Sequence, residues 1–170
     1  MLVYALVIHK GAILMCQPTF EGGERWSWEL PYTSIFPPQD NTTEDTARKV
    51  IRETTGLSLP VSGLVGYCES YATGKFVGSY DSSFIYLMDA GALAEEHELA
   101  SPAGSSSRVS LMHRNQIDDV SVQIGDFSRL VAKRVLDQNP TMLHKREEFL
   151  ANYMNEPPHT LYMRPYTFFM

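Results

Sequence analysis

Neither glycine nor proline occurs between Thr42 and Thr55, and Gly56 follows at once. This window constrains the chain more than any other, because it admits a helix with sharp ends. Thr42 with Asp45 three residues on resembles a capping box, in which a hydroxyl and an acid satisfy the first free backbone N–H groups. Gly56 suits the left-handed residue that closes a helix. The flanking segments read differently. LVYALVI is dense in β-branched and aromatic residues, Lys10-Gly11 is a turn, and AILMCQ returns as the second strand of a hairpin. PTFEGGER is a loop and WSWEL a short strand ended by Pro31. YTSIFPPQDN reads as loop, since Pro37-Pro38 fits neither a helix interior nor a central strand.

Beyond the helix, LSLPVSGLVGYCESYA and SSFIYLMDA read as strands and RVSLM as a short one, with the polar loop ALAEEHELASPAGSSSR before it. FSRLVAKRVLDQ places Phe127, Leu130, Val131, Val135 and Leu136 at helical spacing. Hairpin, strand, loop, helix, strands, helix is the order of an α+β domain with a mixed sheet flanked by helices. That domain spans residues 1–138. Residues 139–170 form a C-terminal extension of different character, in which KREEFLANYM reads as a further helix. Pro157, Pro158 and Pro165 then alternate with Tyr162, Tyr166, Phe168 and Phe169. So apolar a tail, without clear periodicity, packs on its own domain or on a partner.

Composition narrows the function classes. At 170 residues, 44% of them hydrophobic, the chain buries a core without disulfide or metal staples. A net charge of −6 argues against non-specific nucleic-acid or anionic-membrane binding, although a local cluster of cations or a metal still suits a small nucleotide. No apolar run approaches the ~20 residues of a membrane span. The amino terminus lacks the basic start of a signal peptide, so a cytoplasmic-type reducing compartment is the default, with an organelle left open. Cys16 and Cys68 read as buried reduced thiols. The histidines at 9, 97, 113, 144 and 159 form no metal-binding spacing, and no nucleophile elbow is present.

At WELP, followed by a loop and then TARKVIRETTGL, the chain resembles the Nudix hydrolase family. The family signature is G-x5-E-x7-R-E-U-x-E-E-x-G-U, with U aliphatic, on a loop–helix–loop after a strand that commonly reads W-x-L-P-G-G. Trp28, Leu30 and Pro31 match the strand end, Ile51 the aliphatic position, Glu53 the first glutamate of the pair, and Gly56-Leu57 the final G-U. The order of elements over residues 1–138 agrees. The resemblance implies a Nudix-like α/β/α sandwich and magnesium-dependent hydrolysis of nucleoside-diphosphate-linked compounds. The departures fall on the chemistry. Lys49 stands for the family's arginine, Val50 for the glutamate after it, Thr54 for the second glutamate of the pair and Asn41 for the upstream one. Tyr32 and Thr33 replace the two glycines, and the loop is about two residues longer.

Magnesium needs several hard oxygen ligands converging on one point. At about 100° per residue, the face centred on Val50 carries Glu53 as its one carboxylate, with Thr43, Thr46 and Thr54. Glu53 is therefore the candidate catalytic residue and metal ligand. An acid from elsewhere, such as Glu95, Glu96 or Glu98, would have to complete a substrate-bridged Mg2+. The plainer alternative pairs Glu53 with Lys49 one turn earlier. Arg25, Trp28 and Lys49 are candidate substrate-binding residues, against a surface role for Arg25, packing for Trp28 and the Glu53 pair for Lys49. Trp26 and Trp28 share a strand face.

Two readings follow. In one, a catalytically weak or inactive Nudix-fold protein serves as a binding or structural subunit of an assembly. Its partners are other subunits or a second copy, docking through Tyr162, Tyr166, Phe168 and Phe169. In the other, an active pyrophosphohydrolase uses an unconventional metal set. A non-catalytic nucleotide sensor is a third.

Overall fold

The computed structural model describes residues 1–18, 27–35, 42–71, 80–91, 107–137 and 159–163. Strand β1 (Leu2–His9) turns through Lys10 and Gly11, with φ of 48° and 75°, into β2 (Ala12–Pro18). Two successive left-handed residues form the tight hairpin turn whose twist matches its strands. β1 is buried along almost its whole length, because its two faces serve two cores. Val3, Ala5 and Val7 point to one side, and Tyr4 and Leu6 to the other. Covered on both faces, the strand reads as a continuous apolar run rather than an alternation.

Among the described residues the sheet has seven strands, in the order β6-β2-β1-β5-β4-β7, with β3 paired to β1 off that path. β4 is Val61–Tyr71, β5 Tyr80–Met88, β6 Ser107–Met112 and β7 His159–Met163. β1 and β5 run parallel and the other pairs antiparallel, so the sheet is mixed as expected. Helix α1 (Thr43–Thr55) covers one face through Ala47, Val50 and Ile51. Helix α3 (Asp126–Leu136) covers the other through Val131, Ala132 and Val135. The result is the three-layered arrangement that the sequence predicts.

The ends of α1 are those read from the sequence. The Thr42 hydroxyl oxygen accepts from the Asp45 N–H at 3.1 Å. Gly56, at φ 76°, closes the helix and donates its N–H to the Arg52 carbonyl. The capping box is incomplete, because the Asp45 carboxylate accepts a hydrogen bond from the Thr42 hydroxyl rather than from the Thr42 backbone N–H.

Three elements of the domain differ from expectation. WSWEL does not form a full strand: Glu29 bridges Cys16 and Trp28 bridges Ile124. The following residues, read as loop, form β3 (Tyr32–Ser34) against Leu2–Tyr4. The cause lies in β1 and β2, whose pairing is confined to Ile8↔Ile13 and His9↔Ala12. Both strands are then open on their facing edges. The chain takes the edge of β2 at Glu29 and that of β1 after Pro31, whose carbonyl accepts the Ala5 N–H. A short helix, α2 (Arg114–Asp118), was also not expected. Five residues holding one buried side chain, Ile117, are too few to show a period.

Part of the tail joins the sheet. β7 pairs antiparallel with β4, setting Tyr162 opposite Tyr67. The helix expected over KREEFLANYM, and Tyr166, Phe168 and Phe169, lie outside the described residues.

Candidate functional site

The face of α1 that would carry a metal is built mostly from core and satisfied hydroxyls. Val50 is 3% exposed, in a cluster with Val3, Ala5, Val7, Ile51 and Met88. Thr54 is half-buried. Thr46 donates its hydroxyl to the Thr42 carbonyl at 3.0 Å, and the Thr43 hydroxyl meets that of Tyr86 at 2.6 Å. Glu53 is exposed, with Oε1 3.8 Å from Lys49 Nζ. This is the plainer pairing foreseen for both residues. At that distance, with both side chains in solvent, the ion pair contributes about 0.5 kcal/mol or less.

These residues do not fit Mg2+. The ion takes near-octahedral oxygen ligands at about 2.0–2.1 Å and keeps its water unless several anionic oxygens converge. α1 offers one carboxylate, turned outward and already facing an ammonium group. Among the described residues, no three of His, Cys, Asp and Glu come together as a metal group would require. Glu95, Glu96 and Glu98 lie outside the described residues, as does Arg25.

Trp28 is half-buried and packs against the core under α3. Its backbone ties the segment down, donating to the Gln123 carbonyl at 2.8 Å and accepting from the Gly125 N–H at 3.0 Å. Packing therefore accounts for Trp28. The structure does not bring it together with Lys49, which stands exposed on α1.

The residue that sequence reasoning missed is the neighbour, Glu29. Its half-buried carboxylate lies over Gly125, the residue that opens α3. It accepts a hydrogen bond from the Ser128 hydroxyl, whose oxygen accepts the Leu30 N–H at 2.9 Å. A Cβ on Gly125 would sit 1.9 Å from Glu29 Oε1, so glycine is required for the carboxylate to reach this place. The positive end of the helix dipole favours an anion here. Burial nonetheless raises the Glu29 pKa; the Ser128 hydrogen bond opposes the shift and the Asp126 charge adds to it. The same enclosure pushes the Cys16 thiol up to about 12, through burial and then the Glu29 charge. Cys16 is thus an inert thiol, as its apolar setting predicts. Tyr32 is raised too, by burial first and then by Glu29. Its ring stacks on Tyr4 at 5.2 Å, and Tyr4 meets Phe127 at 4.8 Å. The sequence signal for Glu29 was one acid between Trp28 and Leu30. Its partner, Ser128, lies 99 residues away.

No protein-family model matches the chain, and no curated protein matches its sequence. Solved structures do match in shape. A NUDIX hydrolase from Nitrosomonas europaea superposes with a TM-score of 0.55 at 12% identity, over 78% of this chain and 86% of that one. The NUDIX domain of Shewanella oneidensis NrtR, solved with ADP ribose, gives 0.54 at 14% identity, over 81% and 86%. NrtR of the same organism, solved with a 27mer DNA, gives 0.55 at 13%, over 89% of this chain and 63% of that one. At such identities the likeness concerns the backbone. It agrees with the mixed sheet, the glycine-closed α1 on one face and α3 on the other: this chain has the Nudix fold.

Proposed function

We propose that this protein is a Nudix-fold protein without effective magnesium-dependent hydrolysis, acting as a binding or structural subunit of a larger assembly. The observation that carries the reading is Val50. Where the family signature has a glutamate, this chain has a core side chain against β1 and β5. Glu53 alone is a weak anchor for a hydrated divalent cation. The residues beyond Met163, with Tyr166, Phe168 and Phe169, are the proposed docking segment, where aromatic side chains would supply contact area. The net charge of −6 disfavours the DNA-bound role that one solved neighbour shows. The ADP-ribose complex of another supports small-nucleotide binding as the alternative role of the same fold.

The test is a panel of nucleoside-diphosphate derivatives with Mg2+ and Mn2+, run beside Glu53→Gln. The expectation is no turnover above background in either protein. Turnover that disappears in the variant would overturn the reading and make Glu53 a working ligand.

A further inference from the structure

We infer that the outer side of α1 carries an anion-binding groove for a small phosphate-bearing molecule, away from the face where the family signature places its acids. A cavity of about 520 Å³ lies there, lined by Asp45, Arg48, Lys49, Arg52, Ser58 and Leu59, with Pro60 beside them. Its volume falls within the range of small-molecule sites. At about 100° per residue, Arg48 and Arg52 stand roughly 160° and 200° round the helix from Val50. The groove and the signature face are therefore opposite sides of one helix.

Three of the lining side chains are cations, of which Arg48 and Lys49 are paired with acids and Arg52 is left open among the described residues. Arg48 is held by Glu44 and by Asp45, the latter at 2.8 Å, which fixes its guanidinium at one end of the groove. The Arg52 guanidinium, one turn further on, has no partner among the described residues. The buried Leu59 gives the groove a firm side, and the exposed Ser58 adds a hydroxyl donor. Arginine's planar fork binds phosphate through paired hydrogen bonds; the Arg48 fork is taken by Glu44 and Asp45, so the open fork in the groove is that of Arg52. Arg52 also faces the negative end of the α1 dipole, a smaller and screened interaction with a partial charge. It does not occupy the donor fork.

The inference goes beyond the non-catalytic reading and does not depend on it. The experiment is calorimetric titration of the full chain with inorganic pyrophosphate, without divalent metal, at low ionic strength. Saturable one-site binding is expected, weaker for inorganic phosphate and weaker as salt is raised. Arg52→Gln should weaken it at least tenfold and Arg52→Glu abolish it, while Glu53→Gln, which frees Lys49, leaves it at least as tight. Thermal melts check that the exposed substitutions leave the fold intact. No saturable binding to the parent would overturn the inference, as would equal binding by Arg52→Glu or loss in Glu53→Gln. Breakdown of pyrophosphate on addition of Mg2+ to these samples would overturn the non-catalytic reading and leave the groove standing.

Discussion

Replacing Val50 with glutamate restores the family's residue at that position, and we expect it to damage the protein rather than repair a metal site. The Val50 side chain is 3% exposed among apolar neighbours. Its removal forfeits about 1.5–3 kcal/mol of burial. The incoming carboxylate is longer and meets no cation in that cluster. An uncompensated buried charge costs about 3–5 kcal/mol, and the side chain escapes part of this by swinging out or by protonating. A net loss of about 3–5 kcal/mol is a large share of the roughly 5–15 kcal/mol that holds a domain together. For a chain of this size it lowers Tm by about 6–20 °C. The pH dependence identifies the cause. A buried glutamate has a folded pKa above its unfolded value, so the folded form holds the proton more tightly. The deficit is therefore smallest below the unfolded value and grows as pH rises through the window between the two. Val50→Ala, which leaves a cavity but no charge, should cost about 2 kcal/mol with no such dependence. Melts of both variants across pH, with and without Mg2+, make the comparison. If Val50→Glu matches the parent at neutral pH, or gains stability from Mg2+, position 50 opens to solvent and the reasoning fails.

Glu29→Gln keeps an acceptor for Ser128 and removes the buried charge. Because burial raises Glu29 above its ordinary 4.5, ionisation costs stability as pH rises through that value to the folded one. The variant should therefore gain on the parent across that window and hold its gain above it; a difference that stays flat from about pH 4 to 8 would refute this. Gly56→Ala places a Cβ at φ 76° and should cost about 1 kcal/mol, read as a Tm lower by roughly 2–4 °C. A chain ending at Gln138 loses β7 and uncovers the backbone of Gly66–Ser70 on β4. It should self-associate with concentration in light scattering, and a monomer of unchanged Tm would show that β7 adds nothing.

What could be read from the sequence follows the range of the forces involved. The ends of α1 depend on contacts within a few residues, Thr42 to Asp45 and Gly56 to Arg52, and such contacts show as spacing. The two faces of β1 showed as a continuous apolar run. β3 did not show, because Tyr32–Ser34 forms a strand only where β1 leaves an edge free, and that edge exists because β2 diverges from it. Glu29 and Ser128 escaped for the same reason, since neither residue marks the other along the chain. Val50 was the informative middle case. At about 100° per residue it lies roughly 60° from Ala47 and 100° from Ile51, and the structure puts all three in one core.

Glu53 is left as the residue that the fold does not explain. It contributes nothing to a core, being exposed at the last turn of α1. Acids are disfavoured there, because the helix dipole is negative at that end. Its pairing with Lys49 runs lysine first and glutamate four residues later, the less favourable order, and spans 3.8 Å. On stability alone glutamine would serve as well or slightly better. Glu53→Gln should therefore leave the melting curve where it is. That makes it a clean probe: a change in ligand binding, metal response or turnover in this variant would reflect the lost carboxylate and not a loosened helix. Val50 cannot be tested so cleanly, because there the core and the family's chemistry compete for one position, and in this chain the core has it.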